Sequence, residues 1–231
     1  MATLSSLPIG AKIKVPHSVM GNVIFIKADQ NHTGYPENST TLITDELILL
    51  RAFDAKEPNN TNSDRKKYGN NRYSVSNIDY WLNSTASAGQ WYSPQHATDQ
   101  SPNSTNVVSR NPYDTDAGFL NGFDVKFISA IQDTTITVAL PTVDGGGEDT
   151  LVRKVFLPSK AELFNQAENS IMEGSLLQYF QENARTAKIS TYCAEDNNNK
   201  GSDSVTAGSN RSYWTRTHAS QNSYFVNYVD T

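Results

Sequence analysis

The residues able to do chemistry are few, and their spacing decides what they can do. Cys193 is the only cysteine among 231 residues. It can form no internal disulfide, and the adjacent Glu195 and Asp196 raise a thiol's pKa, which works against a reactive thiolate. The four histidines, His17, His32, His96 and His218, stand far apart, without the close Cys/His spacing of structural zinc. Asp144-Gly145-Gly146-Gly147 has the glycines of a phosphate loop. Glu148 and Asp149 follow instead of Lys and Ser/Thr, so a hairpin turn is the expectation. Asp54, Glu57, Asn59, Asn60 and Asp64 form an oxygen-rich run. Calcium is the one cofactor such oxygens could take, but the EF-hand spacing is missing. A polar loop held by Asx hydrogen bonds is the plainer reading. The types present point to binding rather than catalysis.

The elements that must position these groups read as follows. Strands are expected at Ile9–Val15, Val23–Ala28 and Thr40–Leu50. Ser76 caps a helix reaching Asn83, with Ile78, Trp81 and Leu82 on one buried stripe. The irregular stretch 89–112 is long enough to suggest a functional loop. Asp116 is expected to cap a second main helix carrying Phe119, Leu120, Phe123, Phe127, Ile128 and Ile131. Thr134–Leu140 and Val152–Leu157 make a hairpin about the glycine turn. Ser159 and Glu162 form a capping box. Residues 197–210 are a polar loop, and 212–231 alternate as short strands. The order lacks βαβα alternation and a linker. It predicts one α+β domain over 1–231 with short antiparallel strands, two main helices and long loops. Trp81 and Trp214 are expected in its core.

A formal charge of −5 gives no electrostatic footprint for nucleic acid. Arg65-Lys66-Lys67 reads as a solvated basic face. The first fifteen residues lack the pattern of a secretory signal, and no apolar run is long enough to insert in a membrane. The expectation is a protein made in a bacterial cytoplasm.

Longer motifs carry a resemblance. They are Leu7-Pro8-Ile9-Gly10, Asn31-His32-Thr33-Gly34-Tyr35-Pro36, Phe53-Asp54-Ala55-Lys56-Glu57-Pro58-Asn59, Tyr68-Gly69-Asn70-Asn71-Arg72-Tyr73, Trp81-Leu82-Asn83, Gly118-Phe119-Leu120-Asn121-Gly122-Phe123 and Val155-Phe156-Leu157-Pro158-Ser159. Together they resemble the DUF6273 family of phage and prophage proteins. Tyr213-Trp214-Thr215-Arg216-Thr217 looks like that family's Trp-x-Arg element. It is similar to the C-type-lectin-like fold of formylglycine-generating enzymes and of retroelement variable proteins. Those enzymes use two active-site cysteines, so the resemblance implies no enzyme here. Glu57-Pro58-Asn59 resembles a lectin sugar-binding tripeptide, but it stands early and lacks the Trp-Asn-Asp that should follow. Relatives continue with a further strand and a closing element, which leaves the partner of the Ile9–Val15 strand open.

The resemblance implies a virion protein, oligomeric in the particle and touching other virion proteins and a bacterial surface ligand. A structural virion subunit is the alternative. The implied ligand-binding surface follows the Trp-x-Arg element. Its residues are Arg216, His218, Ser220, Asn222, Tyr224, Asn227 and Tyr228, expected to face solvent.

Overall fold

A computed structural model describes residues 3–107, 111–201, 204–220 and 222–230. It is mixed α+β with short antiparallel strands, as the pattern predicts. β1 (Lys12–His17), β2 (Gly21–Gln30) and β3 (Thr40–Thr44) form a meander in the order β1-β2-β3. The first strand thus pairs with its neighbour, in register from Lys12↔Ile26 to His17↔Gly21. A bulge between Lys27 and Asp29 leaves four successive residues of β2 buried. Lys27 is among them, and its ammonium donates to the carbonyls of Leu4, Ser5 and Leu7.

α1 (Ser63–Tyr68) and α2 (Asn77–Leu82) follow. Ser76 caps α2 as expected, and Ile78, Trp81 and Leu82 enter the main core. Among the described residues the stretch from α2 to Gly118 has no regular element, yet its own aromatics pack it. The Trp91 and Tyr113 rings stack at 5.3 Å, and Trp91 donates to the Tyr113 carbonyl. Tyr113 reaches back to the Ala52 carbonyl. The aromatic part of this loop is built into the core.

The helix expected from Asp116 to Ile131 is two pieces. A 3-10 turn at Phe119–Gly122 is followed by an extended Phe123, and Asp124, not Asp116, caps α3 (Val125–Ala130). Tertiary packing overrides the apolar spacing. Phe123 bridges His17 of β1, and a Cβ on Gly122 would collide with the His17 ring. β4 (Thr134–Ala139) and β5 (Glu148–Arg153) make the expected hairpin. Gly145, Gly146 and Gly147 all take positive φ in its turn.

The capping box of Ser159 and Glu162 starts α4 (Lys160–Phe164). A two-residue pairing of β6 (Ala187–Lys188) with β7 (Asn210–Arg211) brackets α5 (Thr191–Asn199). α5 overlaps the predicted polar loop and is the longest helix described. Five short helices replace the two main ones. β8 (Tyr213–His218) and β9 (Val226–Val229) close the described chain as a hairpin.

Candidate binding surface on the last hairpin

β8 sits between other elements, and its last four residues are all buried. The expectation that Arg216 and His218 face solvent is therefore corrected. Arg216 is 1% exposed and forks onto Glu162, Nη1 to Oε2 at 2.8 Å and Nη2 to Oε1 at 2.7 Å. It also donates to the carbonyls of Leu157 and Glu173. Burial opposes the charge, but the facing Glu162 holds the guanidinium above its ordinary pKa. Glu162 can meet Arg216 because the capping box fixes it at the start of α4. Its Oε2 accepts from the Ser159 backbone, and Oε1 accepts from the Tyr35 hydroxyl. His218 is equally buried, 3.2 Å from the Asn169 amide, and burial pushes its pKa down. Neither residue is available to a ligand.

The β8–β9 loop is held from beneath. Asn71, fully buried, donates to the carbonyls of Asn222 and Phe225. Arg65 donates to the Ser223 carbonyl and forks onto Asp144 at 2.8 and 2.7 Å. The start of the basic run is thus an interior clamp, and only Lys66 and Lys67 are solvated. Thr142 donates to the Ser220 carbonyl. Glu168 accepts from the Ser220 backbone and the Asn227 amide. Burial alone would raise the Glu168 pKa, but hydrogen bonds from Ser220 and Lys160 hold it below the ordinary value. Ser220 and Asn227 are therefore half-buried bracing residues.

Asn222, Tyr224 and Tyr228 remain from the predicted set, and they lie outside or half outside. Tyr224 stacks on Tyr68 of α1 at 4.5 Å. Two aromatics absent from the predicted set join them. Phe225 is 49% exposed and its ring lies 4.6 Å from that of Tyr224, while Tyr228 is 52% and Trp214 38% exposed. Trp214 is not a core residue, although Trp81, 4% exposed, is. Trp214 meets Tyr228 edge-on and donates to the Arg51 carbonyl. The alternation from Arg211 to Arg216 suggested an inward tryptophan. The neighbouring Arg51, which no local pattern marks, draws the indole to the rim.

The other chemical candidates are occupied. The two oxygens of Asp54 accept from the backbone of Asn77 and Asn70. Glu57 is fully buried and bonded to His96, Thr98 and Asn60. Among the described residues no group of three or more His, Cys, Asp or Glu has metal-holding geometry. Cys193 is buried, and burial first, then Asp196, pushes its thiol up to about 11. No described helix is long and apolar enough to cross a membrane.

The sequence model described as "Domain of unknown function (DUF6273)" matches residues 38–231. No curated protein matches the chain, and no solved structure matches it.

Proposed function

The chain belongs to the DUF6273 family, and from that premise we propose that it is a non-catalytic binding module of a phage particle. It works as one domain of C-type-lectin-like build, carried on a tail, baseplate or capsid. The outer face of the β8–β9 hairpin attaches to a bacterial surface ligand. The observation that carries this reading is the exposure of Trp214, Phe225 and Tyr228 on one hairpin. Other exposed large apolar residues, such as Leu4, Val19, Val125 and Met172, are scattered through the sequence. Aromatic side chains offer much contact area at low entropic cost, and Asn and Ser add adaptable hydrogen bonds. The clamps beneath the loop support the same reading, because a pre-organised surface loses less freedom on binding.

The particle setting rests on the resemblance to phage and prophage proteins. The non-catalytic reading rests on the interior acids, which are engaged by arginines and backbone amides. The test is the pair Tyr224→Ala with Tyr228→Ala in folded protein. Attachment of the protein or particle to host cells should fall sharply. Attachment equal to wild type, with the fold intact, would show that this face is not the binding surface.

A further inference from the structure

β3 has a partner on one side only. Asn31 donates to the Ser39 carbonyl and Asp45 to the Ile24 carbonyl, so the odd-numbered residues of this segment face β2. Alternation turns the N–H and C=O groups of Thr40, Leu42 and Thr44 to the other edge. No backbone partner occupies that edge among the described residues.

The open edge borders a trough of about 1310 Å³. Leu42, Leu49, Phe127, Phe156, Tyr213 and Trp214 are among its walls. Small-molecule sites usually span about 300–1,000 Å³, so this space exceeds them. Its lining is not purely apolar. The hydroxyls of Ser39 and Thr41 belong to it, and both are buried without a hydrogen-bond partner. An unsatisfied buried hydroxyl costs about 1–3 kcal/mol, so the wall favours an occupant that brings polar groups.

The rim at β6–β7 is net basic, although Asp45, paired to Lys12, and Glu46 line the same trough. Arg185, Lys188 and Arg211 line it, and none has an ion pair among the described residues. Arg185 donates only to carbonyls, those of Leu163, Phe180 and Asn183.

We propose that β3 and this trough receive an extended, apolar, acid-flanked segment of a partner protein, added as a further strand. The segment's backbone pairs with Leu42 and Thr44. Its alternate side chains fill the trough, and its acidic flank meets the basic rim. Strand addition takes affinity from main-chain bonds and specificity from pockets for alternate side chains. An amphiphile with an acyl chain and an anionic head would satisfy the apolar wall and the rim. It would leave the edge amides and the Ser39 and Thr41 hydroxyls unpaired, so the peptide is favoured. The length of β3, five residues, sets the paired length of the segment.

The test pans the full chain against a display library of peptides. Their five-residue centres are drawn from Val, Ile, Thr, Phe and Tyr, with either acidic or lysine flanks. The expected result is enrichment of acid-flanked peptides. A synthetic copy of the enriched peptide should slow hydrogen exchange at the Leu42 and Thr44 amides. Lys188→Glu with Arg211→Glu should weaken it on the order of tenfold, through lost charge complementarity. Tyr224→Ala should leave it unchanged, because neither Tyr224 nor its stacking partner Tyr68 lines the trough, and this separates the site from the outer hairpin surface. Sodium oleate is the competing probe. Binding of oleate without any enriched peptide overturns the proposal. So does peptide binding without protection of those amides, or no binding of either probe.

Discussion

Replacing Arg216 by methionine tests the interior role that the structure gives it. The substitution keeps much of the stem's volume and removes the guanidinium. Glu162, 1% exposed, then retains the Ser159 amide and the Tyr35 hydroxyl but no counter-charge. The Leu157 and Glu173 carbonyls each lose a donor. Removing one partner of a buried ion pair costs about 3–5 kcal/mol. For a chain of this size each kcal/mol moves Tm by about 2–4 °C, so the drop should be roughly 6–20 °C. Chemical denaturation and thermal melting followed by circular dichroism would read it. Glu162→Gln should cost a comparable amount, because it strands the buried Arg216 charge although glutamine keeps an acceptor for the capping box. Arg216→Met with Glu162→Leu should cost less than the sum of the single changes, since no lone charge remains. If Arg216→Met melts like the wild type, Arg216 is not an interior clamp and the account of β8 fails.

The Glu57–His96 pair should make stability depend on pH. His96 is raised by its hydrogen bond to Glu57, so its contribution is full below the free value of 6.5 and is lost as pH rises through the raised one. Burial would raise Glu57, but His96, Thr98 and Asn60 lower it, so its contribution is full above 4.5 and is lost as pH falls through the lowered value. His96→Ala should therefore cost most between 4.5 and 6.5, and an NMR titration placing His96 at or below the free value would contradict this. Trp81→Ala should cost about 3–5 kcal/mol and Trp214→Ala less than half of that, both read by urea denaturation. Calorimetry should show one transition, since the main core cluster joins Val15 to Val226; two transitions assigned to separable halves would refute a single folding unit. Asn222→Ala and Tyr228→Ala should leave Tm within a few degrees of wild type, whereas Arg65→Ala should cost about 3 kcal/mol by stranding Asp144.

The legible features were those fixed by neighbours in sequence. Ser76, the Ser159–Glu162 box and the glycine turn before Glu148 act within a few residues, so their signals survive in a linear reading. The illegible ones depend on what lies across the fold. Period-two alternation reports one buried face, but β8 has both faces covered, so Thr215, Arg216, Thr217 and His218 are all inside. Polar types there said "surface", although their partners Glu162, Glu173 and Asn169 lie more than forty residues away. Arg65 misled in the same way, because Asp144 is 79 positions distant. The helix expected after Asp116 failed for a related reason. Its apolar spacing is real, but Phe123 pairs with His17, and a helix cannot make that bridge.

The clamps under the last hairpin have one property in common. Asn71, Arg65 and Thr142 grip backbone carbonyls, those of Asn222, Phe225, Ser223 and Ser220. Glu168 grips a backbone amide of the same loop. Their hold on these groups follows the path of the chain, while the loop's own Ser223 hydroxyl, Tyr224 ring and Asn227 amide add side-chain contacts to Asn62, Tyr68 and Glu168. Asn222, Phe225 and Tyr228 therefore point outward from a loop that is fixed without them. A loop gripped by its own side chains would lose shape when those side chains change. One gripped by carbonyls keeps its shape and can present a different set. Buried ion pairs such as Arg65–Asp144 contribute little net stability against an apolar alternative, but here they set where the loop's carbonyls lie. That division specifies conformation from below and leaves contact chemistry to the outer residues, as the proposed binding surface requires.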